Sequence, residues 1–317
     1  MKLIMIVVSL LIVALVLNAC VHSAIYTHRV HKAHPADGKF LTVNGHDVHV
    51  KTAGETGPAV MLIHGASANS NEFDWSLAPL LASDHRVFMP DRPGHGYTER
   101  PSNGDELAVQ AELLAGALEQ LAPGEKVVVV GHSFGGAVAL RLAIDHPDKV
   151  EGLVLLAPVS HDWGGGGVAW YNNWAATPVI GAAFGQLLPI VGPSVAEGGV
   201  DGTFHPNRPP DDYYENAGVA LLFRPPTFRA NAKDVLNLRA ELAAQSTQYD
   251  DIDVPVIVFS GRKDTVIKPS LHAGKLKYQV SEFTLVDLPE TGHMPHHVHG
   301  DDIADAIRRL AFRQQAG

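Results

Sequence analysis

Cysteine and basic residues are scarce in this chain of 317 residues, and each scarcity excludes a class of protein. Cys20 is the only cysteine, so the chain cannot form an intramolecular disulfide. Lysine and arginine number 24 against 34 aspartates and glutamates, which gives a formal net charge of −10. We therefore expect no basic surface and no nucleic-acid partner. The hydrophobic content of 46% suits a globular protein with a packed core and argues against disorder.

The N-terminal segment has almost no charged or polar residues. After Lys2, residues 3–17 read "LIMIVVSLLIVALVL", with Ser9 as the only polar side chain. This length lies between the core of a signal peptide and the ~20 residues that span a bilayer. Residues 17–20, "LNAC", also resemble the lipobox of bacterial lipoproteins, in which Cys20 would carry the lipid.

Two interpretations of residues 1–37 therefore stay open, an uncleaved membrane anchor and a lipoprotein signal. In both, the polar, histidine-rich stretch of residues 22–37 is a tether. Both predict a membrane-associated protein of a bacterial cell envelope, in contact with the membrane through its N-terminal segment.

From residue 38 onward, strand patterns alternate with helix patterns. Asn44-Gly45 lies between two short β-type runs and predicts a hairpin turn. Further apolar runs of strand length lie at residues 59–65, 86–90, 126–131, 150–158, 255–261 and 283–289. Apolar residues at helical spacing predict helices at residues 75–83, 106–121, 134–147 and 301–314. Such alternation predicts an α/β fold with a mostly parallel sheet of eight strands.

Residues 160–235 interrupt this alternation. They hold the run "GGGG" at 164–167 and three of the four tryptophans, Trp163, Trp170 and Trp174. A stretch this long is unusual for a plain loop, so we predict a helical cap inserted between two core segments, 38–159 and 236–317. The three tryptophans are candidate substrate-binding residues, although they could equally pack the cap on the core.

Ser133 is the candidate nucleophile. It is the centre of "GHSFG", Gly131 to Gly135, which fits the pattern G-x-S-x-G. The buried run before it predicts a strand and the run after it predicts a helix, so the serine lies on a sharp strand-to-helix turn. Flanking glycines relieve the clashes of such a turn, and the helix N-terminus favours developing negative charge.

A serine nucleophile needs a base, and the base needs a carboxylate that orients it. Asp264 follows the strand predicted at 255–261, and His293 follows the strand predicted at 283–289. The order Ser, Asp, His is the one that this arrangement of strands requires. Asp162, which follows the strand predicted at 150–158, is the alternative acid.

Two backbone N–H groups are expected to stabilise the oxyanion of the reaction. One belongs to Phe134, the residue after the nucleophile. The other belongs to Ala66, because His64-Gly65 comes directly after the strand residues 59–63 and matches the His-Gly of hydrolases.

The segment "HMPHHVH" has the composition of a metal site, with His296, His297 and His299 close to His293. Its spacing matches no standard zinc pattern, and no cysteine joins it. We therefore expect no metal here but a solvated, partly helix-capping stretch. The serine mechanism likewise requires no organic cofactor.

Five segments together resemble the α/β-hydrolase superfamily over residues 38–317: "LIHGASANSNEFDW", "PDRPGHGYTERP", "GHSFGG", "GRKDTVIKP" and "TGHMPH". The stretch Asp91–Pro101 is particularly similar to the branch that contains haloalkane dehalogenases and epoxide hydrolases. Those enzymes carry an aspartate nucleophile where this chain has Ser133, which argues against epoxide hydrolysis and dehalogenation. The resemblance implies an α/β-hydrolase fold and points to the serine members: carboxylesterases, monoacylglycerol-type lipases, lactonases and C–C bond hydrolases.

The sequence thus predicts a serine hydrolase that cleaves a small-molecule ester with an apolar group. A C–C bond hydrolase, a lactonase or a perhydrolase would use the same triad. A non-catalytic binding protein on the same fold is the alternative from another class, although it would usually have lost a member of the triad. The sequence does not determine the substrate or the oligomeric state.

Overall fold

The computed structural model describes residues 1–166 and 168–312, apart from the side chain of Ile12. One sheet of eight strands forms the centre, in the order β1-β2-β4-β3-β5-β6-β7-β8. The strands are β1 (Lys39–Val43), β2 (His46–Ala53), β3 (Ala59–Ile63), β4 (Arg86–Pro90), β5 (Val127–His132), β6 (Val150–Leu156), β7 (Val256–Gly261) and β8 (Phe283–Leu288). β2 is antiparallel to both of its neighbours, and the other pairs are parallel. The predicted mostly parallel, eight-stranded sheet is confirmed.

The α-helices pack on both faces of the sheet and build the region above it. They are α1 (Lys2–Ala33), α2 (Asn71–Asp74), α3 (Ala78–Leu81), α4 (Leu107–Leu121), α5 (Phe134–Asp145), α6 (Trp170–Ala176), α7 (Pro178–Gly185), α8 (Leu188–Phe204), α9 (Tyr213–Asn216), α10 (Pro225–Gln245), α11 (His272–Leu276), α12 (Pro295–Val298) and α13 (Gly300–Ala311). Two 3₁₀ helices, Val219–Phe223 and Ser246–Asp251, flank α10.

Burial follows from the residue types of the strands. β3 and β5 lie inside the sheet and are buried along their whole length, as expected for strands covered by helices on both faces. The hairpin turn has φ of 51° at Asn44 and 80° at Gly45, which these two residue types tolerate best.

The helix that we expected at residues 75–83 is shorter, because only α3, Ala78–Leu81, is helical in this range. α2 ends at Asp74 and α3 begins at Ala78, with Pro79 in its first turn. Proline has no N–H and clashes with the preceding turn, so a helix that began at residue 75 could not continue through it. The last predicted helix ends at Ala311, and its expected residues 313 and 314 lie outside the described residues.

Residues 22–33, which composition predicts to be a tether, continue the helix α1 instead. Ala19, Ser23 and Val30 are buried with 8%, 3% and 6% exposure, at the spacing of one helix face. On the same side, the Tyr26 hydroxyl donates to the carbonyl oxygen of Ala220 at 2.9 Å. The second half of α1 therefore packs on the body of the protein, whereas residues 3–17 project from it.

The segment 160–235 is helical, and α10 runs past its expected end. Phe228 and Ala232, in the first half of α10, belong to the apolar cluster of the cap. Leu238 and Leu242, in the second half, belong to the main core cluster. One continuous helix thus joins the cap to the core.

Candidate active site

Ser133 lies on the turn between β5 and α5 with strained backbone angles, φ 52° and ψ −114°. A non-glycine residue rarely adopts positive φ, so the surrounding packing must impose it. A Cβ on Gly135 would lie 2.1 Å from the carbonyl oxygen of Ile63, and one on Gly131 would lie 2.4 Å from that of Gly135. Glycine is required at both positions because the turn is so tight.

Asp264 and His293 are in contact. Asp264 Oδ2 lies 2.7 Å from His293 Nδ1, and its Oδ1 accepts the backbone N–H groups of Val266 at 2.8 Å and Ile267 at 3.0 Å. Because β7 and β8 are parallel neighbours, the loops that follow them meet at one edge of the sheet. The carboxylate is thus fixed on one side by backbone donors and holds the imidazole on the other.

His132 connects His293 to the turn of the candidate nucleophile. Its Nε2 lies 3.0 Å from the carbonyl oxygen of His293, and the two ring centroids are 5.0 Å apart. Ser133 and His293 are 9% and 3% exposed, so the site is nearly closed to solvent. Within the described residues no hydrogen bond joins the Ser133 hydroxyl to His293, and proton transfer requires the two side chains to approach each other.

Asp162, the alternative acid, is engaged elsewhere. Its Oδ1 accepts Arg239 Nε at 2.8 Å and the N–H of Gly164 at 2.9 Å. The hydrogen bond from Arg239 lowers the pKa of this carboxyl group. Since the Nδ1 of His293 is bound to Asp264, the geometry favours Asp264 as the orienting carboxylate.

The expected oxyanion donors lie on two segments that meet at the nucleophile. A Cβ placed on Gly65 would be 3.2 Å from Ser133 Cβ, so the loop of Ala66 runs directly beside the serine. Phe134 begins α5, where backbone N–H groups have no partner within the helix. Among the described residues, the N–H groups of Ala66 and Phe134 have no acceptor.

Arg92 holds the loop that leads to Ala66, a contact that sequence reasoning missed. The buried guanidinium donates from Nε to the carbonyl of His64 and from Nη2 to that of Gly65, both at 3.1 Å. Its Nη1 donates to Asp234 at 2.8 Å, which links the loop to α10. The signal was the segment "DRPGHG", which contributed to the resemblance but received no structural role.

Asp91 and Asn231 hold the same loop further along. Asp91 Oδ1 accepts the N–H of Ser70 at 2.7 Å. Asn231 of α10 accepts the N–H of Ser67 at 2.7 Å and donates to its hydroxyl at 3.1 Å. Helix α10 therefore bonds directly to the loop that carries Ala66, so the position of this helix affects that of the expected oxyanion donor.

His296 and His297 are buried, and the expectation of a solvated stretch is wrong for both. Their Nε2 atoms lie 2.9 and 2.6 Å from Glu72 Oε1, and the Tyr213 hydroxyl donates to Glu72 Oε2 at 2.7 Å. Glu72 comes from α2, which pairs with this segment only in the folded chain. His299 is partly exposed and contacts the Thr291 hydroxyl at 2.9 Å.

Burial and hydrogen bonding set the charges in this cluster. Burial lowers the pKa of His296 to about 4. Burial alone would raise the pKa of Glu72, but hydrogen bonds from the two histidines hold it well below its usual range. Ligand atoms of Glu72, His296 and His297 lie within 4.8 Å of one another, a donor set that zinc can use. Three donors satisfy the carboxylate, whereas His296 Nδ1 is buried without a hydrogen-bond partner among the described residues.

The three tryptophans of the cap have different surroundings. Trp163 is half-buried against the main core, and its indole N–H donates to the carbonyl of Gly166 at 2.8 Å. Trp170 and Trp174 are 67% and 56% exposed, with ring centroids 6.1 Å apart. Gly167, the last residue of the glycine run, lies outside the described residues.

The chain belongs to the α/β-hydrolase fold family, whose model matches residues 58–300. An uncharacterized protein of Mycobacterium tuberculosis is 31% identical over 294 residues, which cover 87% of this chain and 81% of the relative. The 2-hydroxymuconate semialdehyde hydrolase of Pseudomonas putida is 30% identical over 297 residues, 89% of this chain and 96% of that enzyme. The solved structure of the epoxide hydrolase CorEH shares the fold with a TM-score of 0.71 at 20% identity, over 87% of this chain and 98% of that one. Further relatives and structural neighbours carry the names of esterases and lactonases.

Proposed function

We propose that this protein is a serine hydrolase that cleaves carboxylic esters through an acyl-enzyme intermediate. The observation that carries the proposal is the 2.7 Å contact between Asp264 and His293, held beside the strained turn of Ser133. A carboxylate, an imidazole and a serine in this order form the catalytic arrangement of serine hydrolases.

The reaction proceeds in two halves. His293 takes the proton of Ser133 while the serine oxygen attacks the ester carbonyl, and Asp264 stabilises the imidazolium that forms. The N–H groups of Ala66 and Phe134 stabilise the oxyanion, and His293 returns the proton to the leaving alcohol. Water, activated by the same histidine, then releases the acid. No step requires a metal or an organic cofactor.

Substrates with an apolar group suit the site best, because the cap above it is rich in aromatic and aliphatic side chains. Hydrolysis of a C–C bond next to a carbonyl, or of a lactone, is the second candidate function, since the same three residues serve each reaction. The similarity to the 2-hydroxymuconate semialdehyde hydrolase of Pseudomonas putida supports this second candidate.

We further propose that α1 attaches the enzyme to a membrane. Among the described residues, α1 is the single helix that is by itself long and apolar enough to cross a bilayer, and a signal sequence would meet the same criterion. The lipoprotein interpretation gives the same location, because a lipid on Cys20 would attach the protein to the membrane. Cys20 is exposed, at the point where α1 begins to pack on the body.

A panel of p-nitrophenyl esters of increasing acyl length tests the catalytic proposal. We expect hydrolysis by the wild-type protein, labelling by a fluorophosphonate, and loss of both in Ser133→Ala. Undiminished labelling of Ser133→Ala would refute the assignment of the nucleophile. A wild-type protein that is labelled but hydrolyses no ester would favour a non-ester substrate. A wild-type protein that is neither active nor labelled would favour a binding protein.

A further inference from the structure

The outer side of the cap exposes an unusual amount of apolar surface. We call it the apolar cap face, and it consists of large side chains of α6, α7, α8 and the α7–α8 connection that are between 47% and 81% exposed: Trp170, Trp174, Val179, Ile180, Leu187, Ile190, Val191 and Val195. In the folded core, the exposed large apolar residues are separated along the chain, for example Phe40, Val266 and Tyr278. Isolated residues are ordinary on a protein surface, whereas a group of this size marks an interaction site.

These side chains adjoin one another. α6 contacts α7, and α7 contacts α8. In α8, Leu188, Gly192 and Ala196 are buried at helical spacing against the cap, which leaves Ile190 on the opposite side. Val195 lies at the edge of the buried face and is nevertheless 67% exposed. The exposed residues therefore form the outward surface of neighbouring helices.

Charge is absent from this part of the chain. Between Asp162 and Glu197 the sequence contains no aspartate, glutamate, lysine, arginine or histidine. A surface that meets water or a polar partner needs no such exclusion, but one that enters hydrocarbon does, because a charged side chain there is expensive.

The anchor helix leaves the body beside this surface. α1 packs against α8, and Tyr26 of α1 joins the apolar cluster that contains Leu188 and Ala196 of α8. The apolar residues 3–17 of α1 extend beyond this contact into solvent. The second half of α1 thus holds the anchor helix against α8, which carries part of the apolar cap face, while residues 3–17 remain outside this contact.

The C-terminal end of α8 contacts the core of the protein. Phe204 at its C-terminus packs on His297 in the core, with ring centroids 5.2 Å apart. Val191 is 13 residues earlier, about 20 Å along the helix axis. The exposed residues of α8 therefore lie in its N-terminal half, away from the end that packs on His297.

We propose that the apolar cap face lies in the interfacial layer of the same bilayer that receives α1. The inference rests on the proposed membrane attachment and adds a second contact to it. α7 and α8 together are apolar enough to span, but they are bent by 75° and the eight residues of α7 reach only about 12 Å. Helices of this length and composition lie along the interface rather than cross it. Because the face is uncharged, its contact requires neither anionic lipid nor low salt.

The native tryptophans test this placement in the full chain. The protein is reconstituted into phosphatidylcholine vesicles with and without bromine near the headgroup end of the acyl chains, since bromine quenches indole fluorescence at contact. We expect bromine to quench a large share of the emission. Trp170→Phe/Trp174→Phe should remove the quenched component, and the half-buried Trp163→Phe should retain it.

Charge substitutions supply matched controls. Val179→Glu places a carboxylate on the apolar cap face, and Tyr278→Glu places one at an equally exposed position of the core, 81% in both cases. We expect Val179→Glu to reduce the quenching at least two-fold and Tyr278→Glu to leave it unchanged, with short soluble esters hydrolysed at the same rate by both.

Three results are decisive. Protein that floats with the vesicles but shows no bromine quenching would overturn the inference and leave the anchor intact, as when a second copy covers the face. Protein that does not float would overturn both. Quenching as expected without ester hydrolysis would support the cap placement and refute the catalytic proposal.

Discussion

Two histidine–carboxylate arrangements use histidines from the same five-residue segment, 293–297, and they differ in the ring nitrogen that the carboxylate binds. His293 Nδ1 is 2.7 Å from Asp264, which leaves its Nε2 outside that contact. His296 and His297 both use Nε2 toward Glu72, and Tyr213 occupies the other carboxylate oxygen. The carboxylate thus binds Nδ1 in the first arrangement and Nε2 in the second, where the remaining Nδ1 of His296 is buried without a partner among the described residues.

The two arrangements also differ in the segments that supply the carboxylate. Asp264 follows β7, next to the strand that precedes His293, so one sheet edge brings the pair together. Glu72 comes from α2, more than 200 residues away in sequence, and joins the tail of the chain to the beginning of the core. In the proposed mechanism the first arrangement positions the base, while the second joins distant segments of the fold.

The largest expected effect is on kcat, which should respond to substitution of Asp264 far more than to substitution of Glu72. We expect Asp264→Asn to lower kcat about 10⁴-fold, because an orienting acid sets the tautomer of the base. Glu72→Gln should lower kcat less than about ten-fold, because this carboxylate is bound to His296 and His297 rather than to His293. Asp162→Asn is the matched control and should retain wild-type kcat. A dead Asp162→Asn beside an active Asp264→Asn would reverse the assignment of the acid.

Stability should respond in the opposite order. Glu72→Gln places an amide N–H₂ among three buried donors, and we expect it to lower the free energy of unfolding by about 3 kcal/mol. Urea denaturation measures this effect, with Asp162→Asn as a surface control that should change little. Unchanged stability in Glu72→Gln would mean that the cluster does not close the fold.

The sequence predicted the parts of the molecule that local chemistry determines. The buried valine run of β5, the Asn44-Gly45 turn and the G-x-S-x-G turn each carry their cause in adjacent residues. Asp264 and His293 could be placed because parallel strands end at one edge. The positions of Asp264 and His293 thus follow from a rule that needs only the order of the strands.

Contacts between distant segments could not be predicted in this way. Nothing near Glu72 indicates that His296 and His297 will reach it, and the polar composition of residues 22–33 conceals a buried helix face. The contacts of Arg92 were equally unpredictable, because its partners include Asp234, which lies 142 positions later in the chain. Such pairings depend on tertiary packing, for which a single sequence holds no local signal.

Acid should weaken the stabilising cluster. His296 has a pKa of about 4 in the folded protein, below its ordinary 6.5, so the unfolded chain binds more protons between these values. Glu72, with its pKa lowered, acts in the same direction. The free energy of unfolding should therefore fall as the pH drops below about 6.5, by up to about 1.4 kcal/mol per pH unit from His296.

A variant isolates this contribution. His296→Gln keeps an N–H donor for Glu72 without a group that titrates, so its stability should fall less steeply than that of wild type between pH 6.5 and pH 4.5. His46→Gln, in the surface hairpin, is the control and should keep the wild-type slope. Parallel slopes in wild type and His296→Gln would show that His296 does not couple protonation to folding.

The smallest expected effect concerns selectivity, and it separates Trp163 from the other two cap tryptophans. Trp163 follows β6, is half-buried and adjoins Asp162, which binds Arg239 of α10, so it lies where the cap meets the core. We expect Trp163→Ala to change the ratio of kcat/KM for short and long acyl esters several-fold. Trp170→Ala and Trp174→Ala should leave this ratio unchanged for soluble esters, because both side chains face outward. Thermal denaturation distinguishes a pocket wall from a packing residue: a lower Tm with an unchanged ratio in Trp163→Ala would assign this side chain to packing and move the acyl pocket elsewhere.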